Sequence, residues 1–275
     1  MHSDKRYLIT GVVTTDSIAW SVAERLQLQG AEVFLTTHDR ARDLTHRAAS
    51  ALPQTAEILT LDATEPEHYA QLVRQFEDRP LSGALHAIAF AGKSALSGDF
   101  LDASDQDIEL AMRTSTTSFA RMARLLRDCA PADGASLVGL DFDAGARAWP
   151  VYNWMGVCKA ALQATMRYAA RDLGPSGIRA NLVAAGPLHT RAAGGIEGFQ
   201  KLLDAYAGAP LGWDPYDPGP VADSVCFLLS DMSRAITGEI LHVDGGYNAL
   251  AAPGTSDRSG GLDLAAAELR APSMR

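Results

Sequence analysis

Short apolar runs alternate with longer segments of helical period along most of the chain. Residues 7–10, 32–36, 58–61, 84–89, 136–140, 180–184 and 240–243 read as strands, and residues 18–29, 40–50, 66–76, 104–129, 152–173 and 221–229 as helices. The strands are apolar on both faces, which implies a parallel sheet covered by helices on each side. The expected fold is therefore α/β, a doubly wound Rossmann-type parallel sheet of about seven strands in a single domain over residues 1–250. The helix over 152–173 has the clearest pattern: Met155, Lys159, Leu162, Met166 and Leu173 repeat at helical spacing, and Gly174-Pro175 stops it. Residues 251–275 are rich in Ala, Ser, Gly and Pro and read as a flexible tail, with a short helix possible over 262–269.

Composition narrows the class. A chain of 275 residues with 47% apolar content can bury a core, and length favours one large domain over two small ones. The net charge of −9 argues against nucleic acid or an anionic membrane as partner, because phosphate contacts need clustered Lys and Arg. Cys129, Cys158 and Cys226 are widely separated and lack metal-ligand spacing, so they read as small buried hydrophobes in a reducing cytoplasmic protein. No metal site is expected. The N-terminus has no secretory apolar region, and no run is long enough to span a bilayer.

Candidate chemistry lies at two places. Tyr152 and Lys159 stand seven positions apart on one expected helix, so they share a face about 10 Å apart along the axis. That arrangement sets a proton donor and a cation beside one small reacting group. Gly11-Val-Val-Thr-Thr-Asp16-Ser17-Ile18 joins the first strand to the first helix, the turn that meets a pyrophosphate in doubly wound folds. Gly11 permits a close approach there, while Asp16 or Ser17 would cap the helix and leave the Ser17 and Ile18 amides facing the ligand. Asp62, after the third strand, is placed to bind an adenine amino group, and His38 to stack beside the adenosine. No basic doublet follows the second strand to hold a 2′-phosphate, which favours NADH over NADPH.

The segments Leu140-Asp-Phe-Asp143, Tyr152-Asn-Trp-Met-Gly-Val-Cys-Lys159, Asn181-Leu-Val-Ala-Ala-Gly-Pro-Leu188 and Val243-Asp-Gly-Gly246 resemble those of the NADH-dependent enoyl-acyl-carrier-protein reductases. These form a branch of the short-chain dehydrogenase/reductase superfamily, and Phe142 with Tyr-Asn-Trp-Met is closest to the isoniazid-target group. The resemblance implies reduction of the trans-2 double bond of an enoyl thioester carried on acyl carrier protein or coenzyme A, in a homotetramer. It implies that Tyr152 stabilises the enolate, that Lys159 anchors the cofactor, and that Phe142 sits beside the nicotinamide. Phe142, Tyr152 and Met155 would line the acyl pocket. The dinucleotide would be lined by Gly11, Val13, Ser17, Ile18, His38, Asp62 and Ala63 from the first three strands. Further along, Ala87, Ile88, Ala89, Leu140, Asp141, Lys159, Ala185, Gly186, Pro187, Leu188 and Thr190 would complete that lining.

The chain departs from the family pattern at Ala89, where glycine is usual, and at His38, where an aromatic residue is usual. The segment 190–213 resembles the substrate lid but is shorter than in the long-chain branch, which points to short or medium acyl chains. Trp149, Trp154 and Trp213 read as packing residues. Lys93, Arg147 and Arg191 are candidates for a basic patch that would meet an acidic carrier. Two other functions compete: a ketone or aldehyde reductase of the same superfamily, which usually has Tyr-x3-Lys with a serine nearby, and a non-catalytic NAD(H) sensor.

Overall fold

A computed structural model describes residues 2–145 and 147–250; the expected tail over 251–275, with its short helix, lies outside them. Seven strands form one parallel sheet: β1 (Arg6–Ile9), β2 (Glu32–Thr37), β3 (Glu57–Thr60), β4 (Gly83–His86), β5 (Ser136–Asp141), β6 (Arg179–Ala185) and β7 (Ile240–Val243). Their order is β3-β2-β1-β4-β5-β6-β7, so the winding reverses between β1 and β4. The helices are α1 (Ile18–Leu28), α2 (Arg42–Ala49), α3 (Pro66–Gln75), α4 (Lys93–Leu96), α5 (Asp105–Met112), α6 (Ser118–Cys129), α7 (Asn153–Leu173), α8 (Gln200–Tyr206) and α9 (Gly219–Leu229).

Alternation along each strand divides the core into two layers. Tyr7, Ile9, Val33, Leu35, Val138 and Val183 face α1, α2 and α9, packing against Val22, Leu26, Val225 and Leu228. Their neighbours Leu8, Phe34, Ala84, Leu137 and Leu182 face α3, α6 and α7, packing against Leu72, Phe119, Leu162 and Met166. Both faces are covered, which is why the strands read as continuous apolar runs. The three cysteines are unpaired and buried. Burial raises the thiols of Cys129 and Cys226 to about 12 and that of Cys158 to about 11, so each stays protonated at neutral pH.

Most element ends differ from the sequence expectation by a residue or two, and four differences alter the local structure. β4 stops at His86 because the Ala87 amide leaves the ladder and donates to Thr10 Oγ1 at 2.8 Å. The helix expected over 104–129 is two helices joined by a π turn, Arg113–Thr117, which adds a residue and aims Ser115 and Thr116 sideways into the protein. A 3₁₀ turn, Asp39–Ala41, precedes α2. The helix expected from 152 begins at Asn153, leaving Tyr152 as its cap, because Val151 and Asn153 take left-handed φ values of 60° and 38°. The helices α4 and α8 have no counterpart in the sequence reading.

His86 ends β4 fully buried, with Nε2 2.7 Å from Ser118 Oγ and Nδ1 without a partner among the described residues. Burial, with the nearby Lys159 charge, lowers its imidazole from 6.5 to about 3. The unfolded chain therefore takes up a proton between those values that the folded chain refuses. Stability contributed by this group is complete above pH 6.5 and falls as pH drops toward 3, by up to about 1.4 kcal/mol per pH unit. Thermal unfolding followed from pH 7 to pH 4 should show a shallower fall for His86→Gln than for the unmodified protein. Parallel curves would contradict the assignment.

Candidate active site

In a parallel sheet all strand C-termini lie on one edge, and the reversal between β1 and β4 opens a crevice there. Gly11 leaves β1 with φ 82°, and a Cβ at that position would lie 2.2 Å from the Ala87 carbonyl oxygen. Glycine is required first by the close approach of Ala87, one residue past β4, whereas the sequence alone suggested the ligand as the reason. Thr10 ties the same strands, donating from Oγ1 to the Leu85 carbonyl at 2.9 Å.

The α1 N-terminus is built largely as expected. Ser17 caps it, accepting from the Trp20 amide at 3.2 Å. The free amides are shifted by one residue, however: Ser17 N–H donates to the Thr14 carbonyl, whereas Ile18 and Ala19 N–H have no acceptor among the described residues. The Thr14 hydroxyl beside them is buried and has no partner among the described residues. Orphaned donors at a helix N-terminus suit an anionic diphosphate.

Around this turn Val13, Ser17 and Ile18 are half-buried, as are Asp62, Ala87 and Ile88, while Ala89 and His38 are exposed. Asp62 uses Oδ1 to accept from the Thr64 amide and hydroxyl, both at 2.8 Å. Burial pushes its carboxyl up, but the Thr64 bonds and the nearby His38 and His68 outweigh it and hold the group below the usual carboxylate range. Asp62 is thus a capping residue of its own loop as well as a candidate adenine ligand. Ala63 is buried.

The segment after β6 departs from the expected lining. Ala185 and Leu188 turn into the α1–α9 core layer. Gly186 and Pro187 are buried as well. Trp213 lies over Gly186, where a Cβ would come within 2.6 Å of the indole, and its Nε1 donates to the Pro187 carbonyl at 2.7 Å. What 185–188 offers the crevice therefore comes from its backbone, and Trp213 is more than a packing residue: it clamps that backbone. Thr190, half-buried, opens the lid segment.

Tyr152 and Lys159 both lie against the end of β5, the lysine on Leu140 and the tyrosine on Phe142. They are 8% and 6% exposed. Lys159 Nζ donates to the Leu140 carbonyl at 2.8 Å, next to the Asp141 carboxylate, which accepts from Gln163 Nε2 at 2.8 Å. Asp141 Oδ1 is buried without a partner among the described residues. Burial lowers the Lys159 ammonium and raises the Asp141 carboxyl, and each charge opposes the other's shift. Burial, then the Asp141 charge, raises the Tyr152 phenol above its ordinary value, so it remains a protonated donor. Phe142 packs on Tyr152 with ring centroids 4.9 Å apart, and Met155 is buried in the same cluster.

The π turn pins this site from outside the sheet. Ser115 Oγ donates to the Phe90 carbonyl and accepts from the Phe90 amide, both at 3.0 Å, and Thr116 Oγ1 donates to the Cys158 carbonyl at 2.9 Å. Trp149, Tyr206 and Tyr247 stack beside Phe142, an aromatic group missing from the sequence reading because its members come from three distant segments. Of the proposed basic patch, Lys93 and Arg191 are exposed, but Arg147 is tied to Asp143 Oδ2 at 2.7 Å and the Asn248 carbonyl at 2.9 Å.

A family model described as enoyl-(acyl carrier protein) reductase matches residues 11–248. The NADH-dependent enoyl-acyl-carrier-protein reductase of Mycolicibacterium smegmatis is 39% identical over 259 residues, covering 88% of this chain and 95% of the relative. That of Mycobacterium avium is 40% identical over 258 residues, with 88% and 95% covered. The corresponding reductase of Escherichia coli K12 is 34% identical over 251 residues, with 90% and 95% covered.

The tight passage at Gly11 can be separated from its backbone conformation. Gly98 has the same φ of 82° but open space where a Cβ would go. Gly98→Ala should cost about 1 kcal/mol, and Gly11→Ala at least about 1 kcal/mol more, by denaturant unfolding. Equal losses would contradict the close-approach account.

Proposed function

The chain belongs to the enoyl-acyl-carrier-protein reductase family, and on that premise we propose that it reduces the trans-2 double bond of an enoyl thioester with NADH. The observation that carries this reading is the buried Tyr152–Lys159 pair at the end of β5, with Phe142 against the tyrosine ring.

The residues at the crevice fit a dinucleotide. The Ile18 and Ala19 amides and the Thr14 hydroxyl supply unpaired donors for the diphosphate. Lys159 spends one of its three N–H groups on Leu140, which leaves two for ribose hydroxyls. When bound, NADH supplies the hydride that adds to the β-carbon of the thioester. Tyr152 then donates its O–H to the thioester oxygen as negative charge gathers there, a preorganised donor in a site from which water is excluded. Its raised pKa keeps it protonated through the working range. Lys159 has a positioning role. Phe142 carries no proton; it shapes the face on which the double bond rests.

The competing carbonyl reductase would place its tyrosine one turn from the lysine, next to the hydride-accepting carbon. With two turns between Tyr152 and Lys159, the phenol reaches an oxygen farther along the substrate, as an enoyl thioester requires. The intact pair also disfavours a mere sensor. We further place the protein in the cytoplasm as a homotetramer, with residues 190–213 as its substrate lid and the acyl group delivered on acyl carrier protein. Light scattering on the purified chain checks the assembly, and a monomeric mass would remove it.

Purified protein should consume NADH when given a crotonyl thioester. Tyr152→Phe should lower kcat by about a hundredfold to a thousandfold with little change in NADH affinity. Lys159→Met should raise the NADH Kd by about tenfold or more. Turnover unaffected by Tyr152→Phe would overturn the assignment. Reversing charge at Lys93 and Arg191 should raise KM for the carrier-bound substrate more than for the coenzyme A thioester; equal changes would remove the carrier-docking patch.

A further inference from the structure

Trp149 precedes α7, Tyr206 ends α8 within the lid segment, and Tyr247 follows β7. Their rings nevertheless stack. Centroids lie 4.3 Å apart for Tyr206 and Tyr247 at an interplanar angle of 19°, and 5.7 Å apart for Trp149 and Tyr206 at 27°. Trp149 and Tyr247 close the triangle at 5.6 Å. Phe142 joins this group to the reaction centre, 5.1 Å from Trp149 and 6.1 Å from Tyr206 on one side and 4.9 Å from Tyr152 on the other. Among the described residues Tyr152 makes no ring contact with the stack except through Phe142.

Trp149 and Tyr247 are half-buried, and the ring between them is enclosed. Tyr206 is 1% exposed, and its hydroxyl is buried with no hydrogen-bond partner among the described residues. A phenol accepts that desolvation only where ring packing holds it in place. The same cluster includes Ala91, Ala95 and Ala111, all buried, so the rings sit on a packed base.

We propose that the Trp149–Tyr206–Tyr247 stack is the floor of the acyl pocket and restricts this chain to short enoyl thioesters of crotonyl to hexenoyl size, an inference that rests on the enoyl-reductase reading above. An acyl chain growing away from the reacting carbons past Phe142 meets packed ring faces. Each added methylene gains only the burial of one CH₂, whereas entry beyond Phe142 requires three mutually stacked rings to part. Because Tyr206 belongs to the lid segment, parting them also lifts the lid from the body of the protein. Tyr206 and Trp149 are thus specificity-determining residues, acting on chain length rather than on the chemistry.

The test compares kcat/KM for crotonyl- and dodecenoyl-coenzyme A, with NADH, in the unmodified protein, Trp149→Ala and Tyr206→Leu. The expected result is a preference for crotonyl of about tenfold or more in the unmodified protein, and a shift toward dodecenoyl of about tenfold in each variant. Equal or better use of dodecenoyl by the unmodified protein would overturn the proposal. So would an unmoved ratio in variants that still reduce crotonyl. Thermal melts with and without NADH establish that each variant is folded; should one fail, the other variant and the unmodified protein's own ratio decide. Absence of any enoyl reduction by the unmodified protein would remove the enoyl-reductase reading, and this inference with it.

Discussion

A lysine ammonium buried at the end of β5 constrains the geometry of everything around it. A charge taken out of water is costly unless it is met by a counter-charge and by acceptors. Lys159 has both, the Asp141 carboxylate beside it and the Leu140 carbonyl at 2.8 Å. Because the acceptor is strand backbone, α7 can lie at only one height against β5, and Leu162 and Met166 pack it there. Tyr152 then falls two turns earlier, at the mouth of the same crevice, with Phe142, one residue past the strand, against its ring. The pair of side chains is therefore one consequence of a single strand–helix register.

Elements outside the sheet hold this register under load. Val151 and Asn153, on either side of Tyr152, have left-handed backbone, which for a β-branched valine costs about 1–3 kcal/mol. Side-chain bonds from the same stretch offset that cost: Asn153 to the Gly98 carbonyl, Trp154 to the Phe100 carbonyl and Trp149 to the Asp143 carbonyl. The π turn contributes Ser115 and Thr116, which fasten the segment after β4, at Phe90, and the second turn of α7, at Cys158, to one point. Strain near a reacting group, over-determined by its neighbours, is how a donor is kept aimed without a substrate present.

Much of this was legible from residues alone. Apolar runs set all seven strands within a few residues, and Tyr152 with Lys159 marked the site, since helical spacing relates them directly. Phe142 was expected beside the nicotinamide from the resemblance alone; its packing on the Tyr152 ring is what the structure adds. What escaped was whatever depends on contacts between distant segments. Trp213 over Gly186, the ring stack of Trp149, Tyr206 and Tyr247, and the demand of Ala87 on Gly11 have no local signature. The π turn was hidden for a different reason: one extra residue within Ser104–Cys129 barely alters hydrophobic period, so the run reads as a plain helix. At Ala185 and Leu188 the resemblance transfers positions and not side-chain directions: both side chains turn into the core, which leaves their backbone to face the crevice.

The central claim, that the Tyr152 hydroxyl meets the substrate oxygen while Lys159 holds the cofactor, is most directly examined by a crystal structure with NADH and a non-reducible crotonyl thioester analogue. The account predicts the phenol oxygen about 2.7 Å from the thioester oxygen and Lys159 Nζ in contact with ribose hydroxyls. A phenol turned away from the analogue, with the thioester oxygen held by other donors, would contradict it.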